Sequence, residues 1–212
     1  ERMNMTPVLS TSHNGSRKLV IDDILDLRAY EKVRVAEKAR VMELKRKRRV
    51  ELGTILSVLF ENRDTMWMQI QEMLRAEKVL TDEGVYEELN AYNPLIPELG
   101  QLSCTVFIEI TTEAAMREWL PKLVGIERSI VVVLSDGTEV HPVTDAQHDA
   151  ALTREDITAA VHYIHFDFTP EQVATFASGP VQLRCIHPNY LEVIELADST
   201  IGELLIDLQS NS

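Results

Sequence analysis

The apolar positions of this chain fall into short blocks separated by polar turns, and the blocks predict both strands and helices. Residues 54–61, 103–110 and 159–168 are apolar runs of strand length with many β-branched side chains. The pair Asp136–Gly137 lies between two more β-branched runs and predicts a hairpin. A further apolar stretch is interrupted at Pro188–Asn189, which predicts two strands joined by a bend.

Other blocks have helical periodicity. Within residues 64–78, four apolar side chains recur at i, i+4, i+7 and i+8 and form one stripe. Residues 35–50 predict a longer helix although their apolar positions are only loosely periodic, and Gly53 is expected to end it. A shorter helix is expected between Thr169, as its N-cap, and Gly179, just past its end.

The order of these elements predicts an α+β fold: a largely antiparallel mixed sheet with helices packed on it, and a basic N-terminal helix. Strands follow one another through hairpins as often as through helices, which disfavours a doubly wound parallel sheet. Residues 1–18 are expected to form a disordered leader. Residues 19–212 are expected to form a single domain with an N-terminal helical region over 19–52. Thr200 and Glu203 predict a capping box in the terminal helix.

The composition is that of a globular protein with an aliphatic core, since 45% of the 212 residues are hydrophobic and only 6% aromatic. No apolar run has the length of a membrane span, and no signal-peptide pattern opens the chain, so we expect a cytoplasmic protein without membrane contact. Cys104 and Cys185 lie in apolar runs and are expected to be buried, reduced thiols.

The charge is distributed unevenly along the chain. Residues 31–49 hold nine Lys or Arg and three Glu, a net charge of +6, so the rest of the chain must carry −19 of the total of −13. The stretch is typical of a solvated helix face, of a surface that docks on an acidic partner, or, least favoured at this overall charge, of a nucleic-acid contact. The expected partner-binding residues, here called the basic cluster, are Lys45, Arg46, Lys47, Arg48 and Arg49.

The sequence contains no glycine-rich phosphate loop, nucleophile elbow, zinc-protease helix or paired CxxC. Instead, Glu61, Asn62, Arg63 and Asp64 crowd between an apolar strand and an amphipathic helix. Two interpretations stay open for these four residues: a helix cap with a solvated face, or the wall of a ligand or partner site.

A metal site is a second hypothesis. His162 and His165 point to opposite faces of one strand, so they cannot share a metal, and His162 lies on the apolar face. A site for Fe or Zn would need segments distant in the sequence to meet, and buried polar packing is the competing explanation. The candidate ligands are His162, His187, Glu61 and Glu109.

The chain contains the blocks "ELKRKRRVELG", "FENRDTMWMQIQEMLRAE", "AVHYIHF" and "HPNY". Taken together they resemble a bacterial family, catalogued as domain-of-unknown-function family 3501, and the likeness runs from about Lys18 to the end. Members are often encoded beside rubrerythrin-like and iron–sulfur oxidoreductase proteins, so the resemblance implies an accessory role in redox or peroxide defence. The matched polar residues define a candidate pocket: Glu61, Asn62, Arg63, Gln69, Glu72, Tyr92, Glu109, His162, His187 and Tyr190.

Three functions follow as hypotheses. The first is an accessory binding protein that presents its basic helix to an acidic redox partner. The second is a metal-binding protein or metalloenzyme with a His/carboxylate site, and the third is a structural module that forms homo-oligomers. The sequence leaves open whether the protein is an enzyme.

Overall fold

The computed structural model describes residues 16–144 and 156–209. The expected leader over residues 1–18 therefore lies mostly outside the described residues, as does most of the loop expected over residues 144–158. No helix in the described part of the chain combines the length and the apolar character that crossing a membrane requires.

The described residues form two compact units, each with its own hydrophobic core. The helical unit comprises residues up to 43 together with 62–96. The sheet unit comprises residues 44–61 and those from 97 onwards. The expectation that the chain forms a single domain stays a prediction.

Among the described residues, the helical unit is built from three α-helices and two short 3-10 helices. In chain order they are the 3-10 helix Ile21–Asp23, α1 Leu27–Arg48, α2 Arg63–Glu77, α3 Asp82–Tyr92 and the 3-10 helix Asn93–Leu95. The last turn of α1, from Leu44, belongs to the sheet unit. Burial of one face of each helix supplies the core, and Tyr30 packs edge-to-face on Trp67 within it.

The sheet unit contains two antiparallel sheets in its described residues. The strands are β1 Arg49–Leu52, β2 Leu56–Glu61, β3 Gln101–Ile108, β4 Ile130–Val133, β5 Glu139–Val140, β6 Val143–Thr144, β7 Val161–Asp167, β8 Gln182–His187 and β9 Tyr190–Glu195. One sheet has the order β1-β2-β3-β7-β6 and the other β5-β4-β8-β9. The described helices of this unit are α4 Glu113–Trp119, the 3-10 helix Ile126–Arg128, α5 Pro170–Ser178 and α6 Asp198–Leu208. The α+β class and the antiparallel arrangement are confirmed.

The alternation of apolar and polar residues along β7 determines which face of the strand is buried. Its even-numbered residues His162, Ile164 and Phe166 are buried, whereas His165 is half-buried on the other face. The strand pairs with β3 so that His162 is opposite Val106. The assignment of His162 to the core face is confirmed.

The N-terminal helical region differs from the expectation. Helix α1 begins at Leu27, before the start expected at residue 35, and it ends at Arg48 instead of continuing to residue 50. Residues Arg49–Leu52 form strand β1, paired with β2. Gly53, at φ +72°, therefore serves the β1–β2 turn rather than a helix end. Cross-strand pairing and burial outweigh the helix propensity of these residues.

The prediction of a capping box at the start of the terminal helix is wrong as well. Helix α6 begins at Asp198 with Ala197 at the N-cap position, so Thr200 and Glu203 lie inside the helix. Thr200 is buried there. By contrast, the N-cap at Thr169, the proline at the first helical position and the helix end before Gly179 are confirmed.

Candidate functional site

Among the polar residues between β2 and α2, Asn62 forms the N-cap of α2. Asn62 accepts a hydrogen bond through its side chain from the Thr65 backbone N–H at 3.0 Å, and the Thr65 hydroxyl accepts one from the Asn62 backbone N–H at 2.9 Å. This reciprocal arrangement satisfies two N–H groups that a helix start leaves free. The next residue, Arg63, forms an ion pair with Asp23 at 2.9 Å. The polar motif Glu61–Asp64 therefore fixes the start of α2 through Asn62 and connects α2 through Arg63 to the 3-10 helix Ile21–Asp23.

Further along α2, Glu72 is the centre of a polar network with α1. Its carboxylate accepts hydrogen bonds from Arg34 Nε at 2.7 Å and Nη2 at 2.9 Å, and from the Tyr30 hydroxyl at 2.6 Å. The hydrogen bond from Arg34 lowers the pKa of Glu72 to about 2, with the Tyr30 hydroxyl adding to the effect. Burial, followed by the carboxylate of Glu72, raises the pKa of Tyr30. The network holds a stable anion between two cationic or polar donors.

Gln71 and Gln69 connect α2 to other segments of the helical unit. Gln71 is fully buried, and its amide binds both the backbone N–H of Leu25 at 2.7 Å and its carbonyl at 3.2 Å. Gln69 donates to the Tyr92 hydroxyl at 3.5 Å, which is the one hydrogen bond between two candidate-pocket residues among those described. The polar residues of α2 thus hold its neighbours in place.

Glu61, the first residue of the motif, belongs to the sheet unit. Its Oε1 accepts a hydrogen bond from the Thr105 hydroxyl across the β2–β3 pair at 2.7 Å. Its Oε2 is buried and has no hydrogen-bond partner among the described residues. Glu61 therefore points into the sheet unit and is not fully satisfied there.

Glu109 and Tyr190 also make local contacts within the sheet unit. Glu109 is exposed and accepts a hydrogen bond from the Ser57 hydroxyl at 2.7 Å. The Tyr190 hydroxyl donates to the Leu52 carbonyl at 2.7 Å and accepts from the Ile55 backbone N–H at 3.0 Å. Tyr190 thereby fastens strand β9 to the β1–β2 turn.

His162 lies beside a carboxylate that the sequence analysis did not select. Its Nε2 is 2.8 Å from the Thr158 hydroxyl and 3.0 Å from the Ala159 carbonyl oxygen. Its Nδ1 is 4.0 Å from Glu127 Oε2, and both side chains are buried. Nδ1 and both carboxylate oxygens have no hydrogen-bond partner in the described part of the chain. Within the described residues of the sheet unit, this His–Glu pair holds three of the four buried side-chain atoms without a hydrogen-bond partner, the fourth being Glu61 Oε2.

His187 is satisfied at both ring nitrogens. Nε2 is 2.9 Å from the Val124 carbonyl oxygen, and Nδ1 accepts a hydrogen bond from the Asn189 backbone N–H at 3.2 Å. Residues 16–144 and 156–209 contain no group of three or more His, Cys, Asp or Glu side chains that could hold a metal ion. A metal role for His162, His187, Glu61 and Glu109 stays a prediction.

The two cysteines are free thiols and are buried, as expected. Burial raises the pKa of Cys104 well above its usual range and that of Cys185 to about 11. Since the thiolate is the reactive form, both positions disfavour nucleophilic chemistry at neutral pH.

Arg48 departs from the expected basic cluster. Its side chain has no exposed area, and it forms an ion pair with the Asp207 carboxylate of α6. It also donates from Nε to the Phe60 carbonyl at 2.8 Å and from Nη2 to the Glu61 carbonyl at 3.3 Å. Because all of these partners lie inside the sheet unit, Arg48 is a core residue and is not available at the surface.

The other members of the basic cluster lie at or near the surface. Arg46, Lys47 and Arg49 are exposed and Lys45 is half-buried. Lys47 lies 3.9 Å from Glu203, a weak surface ion pair. Their role in partner binding stays a prediction.

Helix α1 exposes a second set of cations within the helical unit. Arg28, Lys32 and Lys38 are exposed, and none of the three forms an ion pair within the described ranges. Apolar side chains lie on the same exposed side, since Val35 is 80% and Met42 53% exposed. The outward surface of α1 is therefore cationic with an apolar centre.

The sequence analysis did not select the partners of Glu72, His162 and Arg48. Tyr30 and Arg34 are four residues apart and share one helix face, a signal that could have selected them. Glu127 and Asp207 carried no such signal, because their partners His162 and Arg48 are 35 and 159 residues away in the chain. Only folding brings these pairs together.

Together these features define an α+β protein whose motif residues bind its own helices and strands, and whose first long helix exposes a cationic surface. The chain belongs to the family described as Protein of unknown function (DUF3501), whose model matches residues 18–208.

A solved structure is similar to this chain in both sequence and fold. It is the crystal structure of a protein of unknown function from Burkholderia pseudomallei K96243, which is 35% identical to this chain with a TM-score of 0.83. The match covers 91% of this chain and 100% of that one. No curated protein matches the sequence.

Proposed function

We propose that this protein is a non-catalytic accessory protein that binds an acidic partner through cations exposed on α1. The partner class is an acidic redox protein, either rubrerythrin-like or carrying an iron–sulfur cluster, as the family resemblance implies. The encounter takes place in the cytoplasm, where the buried thiols stay reduced.

The observation that carries the proposal is the set of cations on α1. Arg28, Lys32 and Lys38 are exposed and have no ion-pair partner among the described residues, although the whole chain carries a net charge of −13. A cationic face on this acidic protein provides electrostatic complementarity for an acidic surface. Such pairs steer association more than they strengthen it.

Charge reversal tests the proposal. One variant carries Arg28→Glu, Lys32→Glu and Lys38→Glu, and a second carries Lys45→Glu, Arg46→Glu and Lys47→Glu, leaving the buried Arg48 intact. The measurement is the Kd for a purified rubrerythrin-like protein, by calorimetry at low and high salt. We expect the first variant to bind at least about tenfold more weakly, which is about 1.4 kcal/mol.

A matched control reverses two cations of the sheet unit, Arg117→Glu and Lys122→Glu, which lie on or just after α4 and pair with Glu113 and Glu118. This variant should retain the wild-type Kd. Equal weakening by the control and the α1 variants would show a non-specific charge effect. Unchanged binding by both α1 variants, or a Kd insensitive to salt, would disprove the proposal, because exposed charges are screened within about 10 Å at 0.1 M salt.

A further inference from the structure

Helix α1 carries an apolar seam on its exposed side. Val35, Ala39 and Met42 are spaced i, i+4 and i+7, so they form one line along the helix. All three are exposed, Val35 by 80% and Met42 by 53%. Exposed large apolar side chains in a line, unlike scattered ones, mark an interaction surface.

The seam lies opposite the buried face of the same helix. Tyr30, Glu37 and Val41 are buried, and at about 100° per residue they lie roughly 150° around the helix from the seam. α1 therefore has two apolar stripes on opposite sides. One stripe packs in the helical unit and the other has no partner within the described residues.

The flanks of the seam are cationic. Arg28 and Lys32 continue its line towards the N-terminus, and Lys38 lies along one side. Two exposed acidic residues, Glu31 and Glu43, also adjoin the seam, and Glu31 is engaged in an ion pair with Arg75. The surface from Arg28 to Met42 spans about 21 Å of helix.

We propose that this seam docks an acidic amphipathic α-helix of the partner protein. The inference rests on the proposed function and names the element that the partner contributes. The partner's apolar a and d positions pack on Val35, Ala39 and Met42, and its flanking Glu or Asp side chains pair with Arg28, Lys32 and Lys38. The small side chain of Ala39, between two larger ones, allows close approach of the two helices.

A second copy of this chain fits the seam poorly. Pairing two α1 helices would bring their cations together, and like charges on facing helices are unfavourable. An anionic membrane fits poorly as well, because the seam lacks the Trp, Phe and Leu residues typical of interfacial helices. The net charge of −13 would also oppose an anionic surface. An acidic protein helix matches both the apolar line and the charge.

The test uses the full chain and a labelled synthetic peptide of about three heptads, with Leu at a and d and Glu at e and g. Fluorescence anisotropy measures its Kd for the wild type, for Val35→Asn with Met42→Gln, and for Lys32→Glu with Lys38→Glu. The seam substitutions have similar helix propensity to the residues they replace, so α1 is retained. Leu80→Gln is the matched control, since Leu80 is 83% exposed elsewhere in the helical unit.

We expect the peptide to bind the wild type and the Leu80→Gln control equally. The seam variant and the charge variant should each bind at least about tenfold more weakly. A scrambled peptide of the same composition, and vesicles of phosphatidylglycerol and phosphatidylcholine, should not bind. Each of these results supports the seam as a helix-docking site.

Other outcomes overturn the inference. No peptide binding by the wild type, equal binding of the scrambled peptide, or an unaffected seam variant would each reject a helix at the seam. Binding to vesicles alone would replace the protein helix by a membrane surface. If charge reversal weakens binding of the redox partner but the seam substitutions do not, the inference fails and the proposed function stands.

Discussion

Glu72 shows how one side chain can organise the helical unit. It lies among two donors of α1, Arg34 and Tyr30, both within 3.0 Å. Two parallel N–H donors from one guanidinium match a carboxylate in geometry as well as in charge. This arrangement explains why polar residues crowd beside α2 without forming an open cleft around Glu72.

Replacing Glu72 by Gln is expected to destabilise the protein by about 1–3 kcal/mol at pH 7, because the Arg34 guanidinium loses its anionic partner and one of the two acceptor oxygens becomes an NH2 donor. The pKa of Glu72 is lowered from 4.5 to about 2 in the folded state. Its stabilising effect is therefore complete above pH 4.5 and is lost as the pH falls towards 2. Denaturant unfolding at several pH values would measure this.

The exposed Glu87 of α3 supplies a control, and Glu87→Gln should change the free energy of unfolding little at any pH. A constant difference between Glu72→Gln and the wild type from pH 7 to pH 2 would contradict the assigned role.

Arg48 and Asp207 form the buried ion pair of the sheet unit. Replacing Arg48 alone by Met leaves the Asp207 carboxylate buried without its cation and should cost about 3–5 kcal/mol. Replacing both, by Arg48→Met with Asp207→Leu, should be less destabilising than Arg48→Met alone, because no uncompensated charge remains. Urea unfolding of the two single variants and the double variant gives the coupling energy. Strict additivity of the two changes would reject the pair.

At the scale of elements, the β1–β2 turn depends on Gly53. Gly53 adopts φ +72°, and a Cβ there would lie 2.3 Å from the Tyr190 hydroxyl and 2.7 Å from Glu192 Cγ. Gly137, in the β4–β5 turn, has φ +87° but nothing within 4 Å of the same position. The two glycines thus share a backbone conformation and differ in their surroundings.

This difference predicts two different costs of substitution by alanine. Gly137→Ala should cost about 1 kcal/mol, the usual cost of a left-handed non-glycine residue. Gly53→Ala should cost about 3 kcal/mol, because the Tyr190 hydroxyl must also leave the Leu52 carbonyl. Thermal unfolding of both variants measures the difference. If the two variants lose the same free energy of unfolding, the close approach of Tyr190 to Gly53 does not affect stability.

At the scale of the whole molecule, the net charge and its distribution favour an acidic protein over a nucleic acid as the partner. The chain carries −13 overall, and the one strongly basic stretch loses Arg48 to the core. Affinity for nucleic acid depends on neutralising several phosphates at once. The cations on α1 are therefore better matched to a limited acidic protein surface than to a duplex.

We expect no binding of a duplex of about 30 base pairs at about 10 µM protein in 0.15 M salt, a concentration within the usual range of non-specific dissociation constants, so an ordinary non-specific DNA binder would be detected. A gel-shift experiment with the full chain tests this. A retarded band that disappears when Arg28, Lys32 and Lys38 are reversed would redirect the proposed function from a protein to a nucleic acid.

Several features were determined by the sequence alone. The hairpin at Asp136–Gly137, the bend at Pro188–Asn189 and the helix between Thr169 and Gly179 were predicted and are present. Each depends on interactions among residues only a few positions apart, such as a cap, a turn or an alternating apolar face. The same local rules failed at residues 49–52, where pairing with β2 decides the structure.

Only the tertiary structure decided how the polar residues are used. Glu72 meets Tyr30 across 42 residues, and Arg48 meets Asp207 across 159. It also decided which stripe of α1 is buried, since Val41 packs inward while Val35 points to solvent. The physical reason is that a sequence does not distinguish an apolar or charged side chain that will be buried from one that will stay exposed. The choice of partner for each is a free-energy difference that exists only once distant segments are packed together.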